Sequence, residues 1–224
     1  MPEPRFISKA QVLRFHKHLI EAFGGPSSAY DEGLLESALH APQHLYVYNC
    51  NNADIFDLAA CYLEAVARNH AFIDGNKRVA ATCALAFLKQ NEIVINIDNR
   101  FLVELIISLI KRERDTKFAA ECLFVNIDHI PITYQLSKFI GGEELISQYS
   151  HVSDMEEWGA IATDYITSKS RVFFTQYCEK YVINPNRFSE FIINSELFLY
   201  KMVTEKWRIQ FGMALPPTPK TFEK

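Results

Sequence analysis

The chain has 224 residues, 49% of them apolar, and a formal net charge of −4 with both signs interspersed. That balance supplies a sizeable core and excludes the broadly basic surface of a general nucleic-acid binder, leaving only a local basic pocket in play; no DNA partner is expected. The first residues, MPEPRFISK, carry no apolar leader, and the longest apolar stretch, FLVELIISLI, contains Glu104 and falls short of the roughly 18 residues of a membrane span, so a cytoplasmic protein with no membrane partner is expected.

Ser8-Lys-Ala-Gln11 has the form of a capping box and opens a helix with Val12, Phe15, Leu19 and Phe23 at helical spacing, stopped by Gly24-Gly25. Asp31 caps a short second helix with an apolar face of Leu34, Leu35, Ala38 and Leu39, and Pro42 ends it. Residues 43–53, QHLYVYNCNNA, alternate aromatic and polar side chains ahead of turn-forming asparagines and predict a loop or short β-hairpin. Asp54 starts a third helix, burying Ile55, Leu58, Ala59, Tyr62, Ala65 and Val66 and running to about Asn69. A break at 71–75 contains Gly75. A central helix follows over Asn76–Gln90, and between Val79 and Leu88 only Thr82 is polar, which predicts burial on nearly every side. Asn91 ends it, IVINI predicts a short strand, and helices are expected over 100–111 and 116–124.

After about residue 125 the texture changes. Asp128-His-Ile-Pro131 marks a junction, and helical patterns recur over 132–149, 154–168, 170–182 and 186–211, the last opened by Asn184-Pro185. This segment is rich in aromatics, and its end, LPPTPKTFEK (the tail 214–224), predicts extended chain. The fold class is all-α, in two domains, 1–125 and 126–224. The five cysteines are dispersed with no CxxC pair and predict reduced core thiols. His16 and His18 lie on different faces of a helix, and His40 and His44 straddle Pro42, so neither pair suggests a metal site.

The chemistry gathers where the central helix begins, in HAFIDGNKR (70–78). A helix N-terminus leaves backbone N–H groups unpaired and carries partial positive charge, which suits anions and phosphates above all. Gly75 permits the turn that exposes those donors. Lys77 and Arg78 add two cations at the positive end of the dipole, an unfavourable placement unless an anion arrives; Arg offers a planar fork and Lys a point charge. Asn76 can position a phosphate or cap the turn. Asp74 can hold a Mg²⁺ that bridges phosphates, and the His70 imidazole can take a proton from an attacking hydroxyl. Base, cation ligand and phosphate cradle within nine residues describe phosphoryl or nucleotidyl transfer. The bland alternative is a structural histidine beside a solvated Lys-Arg pair. The P-loop pattern is absent.

HAFIDGNKR also resembles the Fic/Doc signature, His-x-Phe-x-Asp/Glu-Gly-Asn-x-Arg, at His70, Phe72, Asp74, Gly75, Asn76 and Arg78. Lys77 in the penultimate place is similar to the death-on-curing branch, where the adenylylating branch usually has Gly. GGPSSAYDEGLLESALHAPQ and DLAACYLEAVARNH resemble the segments ahead of that signature, and the resemblance spans about residues 5–124. It implies a Fic/Doc-like helical bundle with a short β-hairpin flap, followed by a C-terminal helical segment (126–224) that simple members of this branch lack. It further implies ATP as substrate with Mg²⁺, His70 as base with Arg78 also catalytic, Asp74 as Mg²⁺ ligand, Gly75, Asn76, Lys77 and Arg78 as phosphate contacts, Phe72 as the anchor of the loop, and Leu45, Tyr46, Val47 and Tyr48 as the flap that docks the target by strand addition. The expected activity is transfer of the γ-phosphate to a protein hydroxyl by a growth-arresting toxin kinase. The family's known target is a threonine of elongation factor Tu, and an antitoxin partner and an oligomer go with that reading. Two departures stand out: Tyr30 replaces the Arg often found before Asp31, and the region from 126 onward has no counterpart. Thr175-Gln-Tyr-Cys-Glu179 matches five places of the [ST]-x-x-x-E-[GN] helix that silences Fic proteins and fails at Lys180. Three functions stay open: the kinase, a protein adenylyltransferase, and an idle interaction scaffold.

Overall fold

A computed structural model describes residues 3–26, 29–49, 53–212, 216 and 218–222. Ser8 caps helix α1 (Lys9–Phe23): its hydroxyl accepts the Gln11 N–H while the Gln11 side chain accepts the Ser8 N–H at 2.9 Å. The buried row of α1 is Val12, His16 and Ile20, and Phe23 at the end of the expected row is 72% exposed. The apolar spacing alone tilts the face, because His16 counts as polar while lying in the stripe. Asp31 caps helix α2 (Glu32–Tyr48), accepting the Leu34 N–H at 2.9 Å.

Pro42 does not end α2. The helix runs through it to Tyr48, so Leu45, Tyr46, Val47 and Tyr48 form its last turn and not a hairpin flap. A helix-interior proline costs about 3 kcal/mol, but Leu35, Ala38, Leu39 and Pro42 all lie on the buried face, and continued burial of that stripe offsets the cost. Residues 50–52 of the expected loop lie outside the described residues.

Helix α3 (Ile55–Asn69) is the hub of the first half. It packs against α2 and against helices α4 (Asn76–Gln90), α5 (Asn99–Ile110) and α6 (Thr116–Val125). Helix α4 has no exposed residue between Val79 and Leu88. Burial pushes the thiols of Cys61 and Cys83 up to about 12, so they stay protonated. The IVINI segment gives only an isolated antiparallel bridge, Ile95 to Ile127, flanked by Asn96 N–H to Asn126 O at 2.7 Å and Asp128 N–H to Val94 O at 2.8 Å.

The chain divides into two compact units, one of residues 1–128 with 180–184, the other of 129–179 with 185–224. The second contains α7 (His129–Ile140), α8 (Gly142–Gln148), most of α9 (Met155–Tyr181), a 3-10 turn (Pro185–Phe188) and α10 (Ser189–Phe211). A single helix expected over 132–149 is split because Gly141 turns left-handed at φ 63°. The two expected over 154–182 run on as one. Trp158 and Trp207, both fully buried, stack at 5.2 Å, and Phe174, Phe188 and Phe191 form a second aromatic cluster, packed edge and face on one another. The tail is not simply extended: Phe222, in a second 3-10 turn (Lys220–Phe222), is buried against Tyr200 at 5.7 Å. Residues 213–215, 217, 223 and 224 of the tail lie outside the described residues. No described helix is long and apolar enough to cross a membrane.

Residues 180–184 close the start of α3. The Ile55 N–H donates to the Val182 carbonyl at 3.0 Å, and the Asn184 N–H donates to Asp54 Oδ2 at 3.0 Å. Asp54 is 3% exposed; its Oδ1 also accepts the Phe56 and Asp57 N–H groups at 2.9 and 3.2 Å, while Asp57 Oδ2 accepts the Asp54 N–H at 2.9 Å. One buried carboxylate thus caps α3 and holds the returning segment. Asp54→Ala should cost about 2–3 kcal/mol, the cap plus a stranded N–H, whereas Asp54→Asn should cost less; a urea-unfolding loss below about 0.5 kcal/mol for the Ala variant would contradict this assignment.

Glu196, 5% exposed on α10, has its carboxyl pushed up to about 7 by loss of hydration, against the opposing Arg171 charge and Ser170 hydroxyl. The folded second unit therefore holds a proton that the unfolded chain releases near 4.5. The contribution is most favourable below that value, declines as pH rises toward 7, and is level above. Glu196→Gln, neutral throughout, should gain thermal stability over wild type as pH is raised from about 5 to 7.5. A gap that narrows over that interval would contradict the burial argument.

Candidate active site

Two helices meet at the site through one short loop. His70 ends α3 in the left-handed region, φ 49° and ψ 41°, and is exposed; a non-glycine residue there costs about 1 kcal/mol or more and persists only where its surroundings impose it. The surroundings are specific. Asn69 Nδ2 donates to the Leu34 carbonyl at 3.1 Å, Ala71 O accepts the Asp31 N–H at 2.8 Å, and Phe72 bridges Tyr30. The N-terminus of α2 therefore holds the loop on one side.

Phe72, 3% exposed, is the loop's apolar anchor: its ring stacks on His16 at 4.0 Å between centroids and lies 6.1 Å from Tyr30. Asn76 clamps the backbone of the same residue. Its Oδ1 accepts the Phe72 N–H at 3.0 Å, and its Nδ2 donates to the Phe72 carbonyl at 2.6 Å. The Asn76 side chain is thereby engaged within the loop and buried. Ile73, by contrast, projects outward at 68% exposure.

Gly75 is the N-cap of α4 with φ 87° and no side-chain cap. A first turn without a cap leaves the N–H groups of Asn76, Lys77 and Arg78 with no intrahelical acceptor. The Gly75 N–H donates to Asp74 Oδ1 at 2.6 Å. Asp74 Oδ2 pairs with Arg78 Nη2 at 3.1 Å, and Arg78 Nη1 reaches the Gly24 carbonyl at 3.4 Å, with the guanidinium 6.0 Å from the Phe23 ring. Gly25 lets α1 end this close: a Cβ there would stand 2.6 Å from Asp74 Oδ2 and 2.9 Å from Ile20 Cδ1. Lys77 is exposed and makes no ion pair among the described residues. So Asp74, Gly75, Asn76, Lys77 and Arg78 converge on one helix mouth, with His70 at the other end of the loop. Leu45 and Tyr46 are half-buried, with Tyr46 edge-on to Phe6 at 5.9 Å, while Val47 and Tyr48 are 64% and 81% exposed.

A single exposed carboxylate suits Mg²⁺, which is commonly held by one or two carboxylates together with substrate phosphates. No described group of three or more His, Cys, Asp or Glu side chains forms a self-sufficient metal cage; the donor set fits a cation shared with a ligand. Two participants escape a reading of the motif alone. Gly25 lies outside it, and His16 is legible only as a histidine within the i, i+4, i+8 row Val12, His16, Ile20.

Known proteins are similar to this chain in sequence. The Fic/DOC family model matches residues 6–88. "Protein kinase doc" of Escherichia phage P1 is 32% identical over 119 residues, covering 53% of this chain and 93% of that protein. "Toxin Doc" of Mycolicibacterium smegmatis is 42% identical over 78 residues, covering 34% of this chain and 59% of that one. With nearly the whole of the phage protein aligned onto a helical chain whose signature residues form one loop and the helix start it leads into, the chain belongs to the Fic/DOC family.

Proposed function

We propose that the protein is a toxin of the Doc kind that transfers the γ-phosphate of ATP to a hydroxyl of a target protein. The observation that carries this reading is the uncapped start of α4, where N–H groups without an intrahelical acceptor stand beside Lys77 and Arg78, one short loop after His70. Positive charge at a helix N-terminus is stabilised by an anion, and phosphates match both the amides and the guanidinium fork. Lys77 and Arg78 would hold phosphate oxygens together with the Gly75 and Asn76 amides. His70 would take the proton of the attacking hydroxyl as the new P–O bond forms and the bond to the bridging oxygen of ADP breaks. Asp74 would hold Mg²⁺, which when bound neutralises phosphate charge. A relative named a protein kinase supports phosphoryl over nucleotidyl transfer, and relatives named toxins support pairing with an antitoxin. Elongation factor Tu, implied by the family resemblance, is the first acceptor to test.

Arg78 pairs with Asp74 at 3.1 Å, so a phosphate that took the guanidinium fork would compete with that carboxylate. Arg78→Lys keeps the charge and loses the fork; nucleotide affinity should fall about tenfold, and unchanged affinity by calorimetry would remove Arg78 from the phosphate contacts. The reaction itself is tested with ATP labelled at either end, incubated with cell lysate and the wild-type or His70→Ala protein. Label from the γ position, reaching a protein only with wild type, is expected. Label from the α position instead identifies an adenylyltransferase, and no labelled protein from either position identifies an idle scaffold.

A further inference from the structure

We propose that His16 is a positioning residue for this site: by holding the Asp74 carbonyl it fixes the direction in which the Gly75 N–H points. The inference rests on the reading of the α4 N-terminus as a nucleotide site, but His16 itself is not among the residues that would touch nucleotide. His16 lies on α1, 7% exposed, with Nε2 at 3.1 Å from the Asp74 carbonyl. A carbonyl can only accept, so Nε2 carries the proton. The peptide plane between Asp74 and Gly75 is trans, which sets its C=O and N–H on opposite sides. With the oxygen held by His16, the Gly75 N–H points to the opposite side of the peptide, where the Asp74 carboxylate accepts it at 2.6 Å.

That plane needs a lock. Gly75 has φ 87° and no Cβ, so rotation of the peptide before it meets little steric resistance. The Asn76 clamp acts on Phe72, two residues earlier, and does not reach the 74–75 peptide, whose N–H is bonded to the carboxylate of Asp74 itself. His16 holds the peptide's carbonyl from another element. Its ring is itself fixed by stacking on Phe72 at 4.0 Å and 13° between planes, and its edge closes over Gly75, where a Cβ would lie 3.5 Å from Cδ2. One side chain thus does two separable things: its face packs on Phe72, and its edge donates to Asp74.

Two substitutions separate them. His16→Phe keeps a stacking ring and removes the donor; His16→Gln keeps an N–H donor at the position of Nε2 and removes the ring. A merely structural role predicts that loop order follows melting temperature, with Gln the worse of the two. A positioning role predicts the reverse for the loop: hydrogen exchange at the Gly75 amide in the nucleotide-free, full-length protein should speed up about tenfold in His16→Phe and stay within about twofold of wild type in His16→Gln, whichever variant melts lower. Mg-ATP affinity should follow the same order, with a loss of about tenfold in His16→Phe. Gly75 exchange in His16→Phe equal to wild type, or losses in both variants that track melting temperature, would overturn the proposal. Should neither variant fold, ring ¹⁵N shifts of the wild-type protein decide it: the neutral ring must carry its proton on Nε2, and a proton on Nδ1 overturns the proposal. If wild type takes up no Mg-ATP while the exchange pattern holds, the nucleotide reading falls and the role of His16 stands; binding with the wrong exchange pattern has the opposite meaning.

Discussion

A buried helix cannot satisfy the N–H groups of its own first turn, and here no side chain does so for α4. That deficit is the constraint from which the site follows. The helix is enclosed by α1, α3 and α5 along its length, so its polar end must open where the packing stops. Gly75 in the left-handed region brings the chain into the helix without covering the amides, and Lys77 and Arg78 deepen the positive potential there. The Asp74 carboxylate brings negative charge to the same place, bonded at once to the Gly75 amide and to Arg78. An incoming phosphate would offer more oxygens to the same donors.

The loop that frames this opening is held from three directions, each by a different kind of contact. From α2, backbone pairing at Asp31 and Tyr30 fixes Ala71 and Phe72. From within, the Asn76 amide grips both main-chain groups of Phe72. From α1, His16 takes the Asp74 carbonyl. These contacts allow His70 to keep a left-handed conformation at the end of α3, and they make the signature a structural unit as much as a chemical one: two of its six matching residues, Phe72 and Asn76, spend their side chains on holding the loop. Helix α3 is fixed at its far end too, by Asp54 and the segment 180–184, so that part of the chain beyond residue 128 belongs physically to the helix that ends at His70.

Much of this was legible in the residues. The caps Ser8, Asp31 and Asp54 and the bounds of α4 follow from local chemistry, because capping side chains and long apolar periods act within a few residues. The all-α class follows from the same periods. What escaped depends on distance in sequence. Pro42 reads as a stop, yet the buried face of α2 outweighs it. Gly141 reads as an ordinary glycine inside an apolar pattern, yet its left-handed turn splits α7 from α8. At the site, the motif names the polar residues but not their division of labour: Asn76 looks like a phosphate ligand until its partner at Phe72 is seen. His16 and Gly25 act across some fifty to sixty residues of chain, where local pattern has no reach. The return of residues 180–184 to the start of α3 is non-local in the same way.

The most direct measurement is calorimetric titration of the full-length protein with Mg-ATP, repeated on Arg78→Ala, with amide shifts followed across residues 70–78. The account predicts one equivalent bound, with the largest shifts at Gly75, Asn76 and Lys77, and binding lost in the variant. Heat of binding that survives the variant, with shifts confined to residues far from α4, would contradict it.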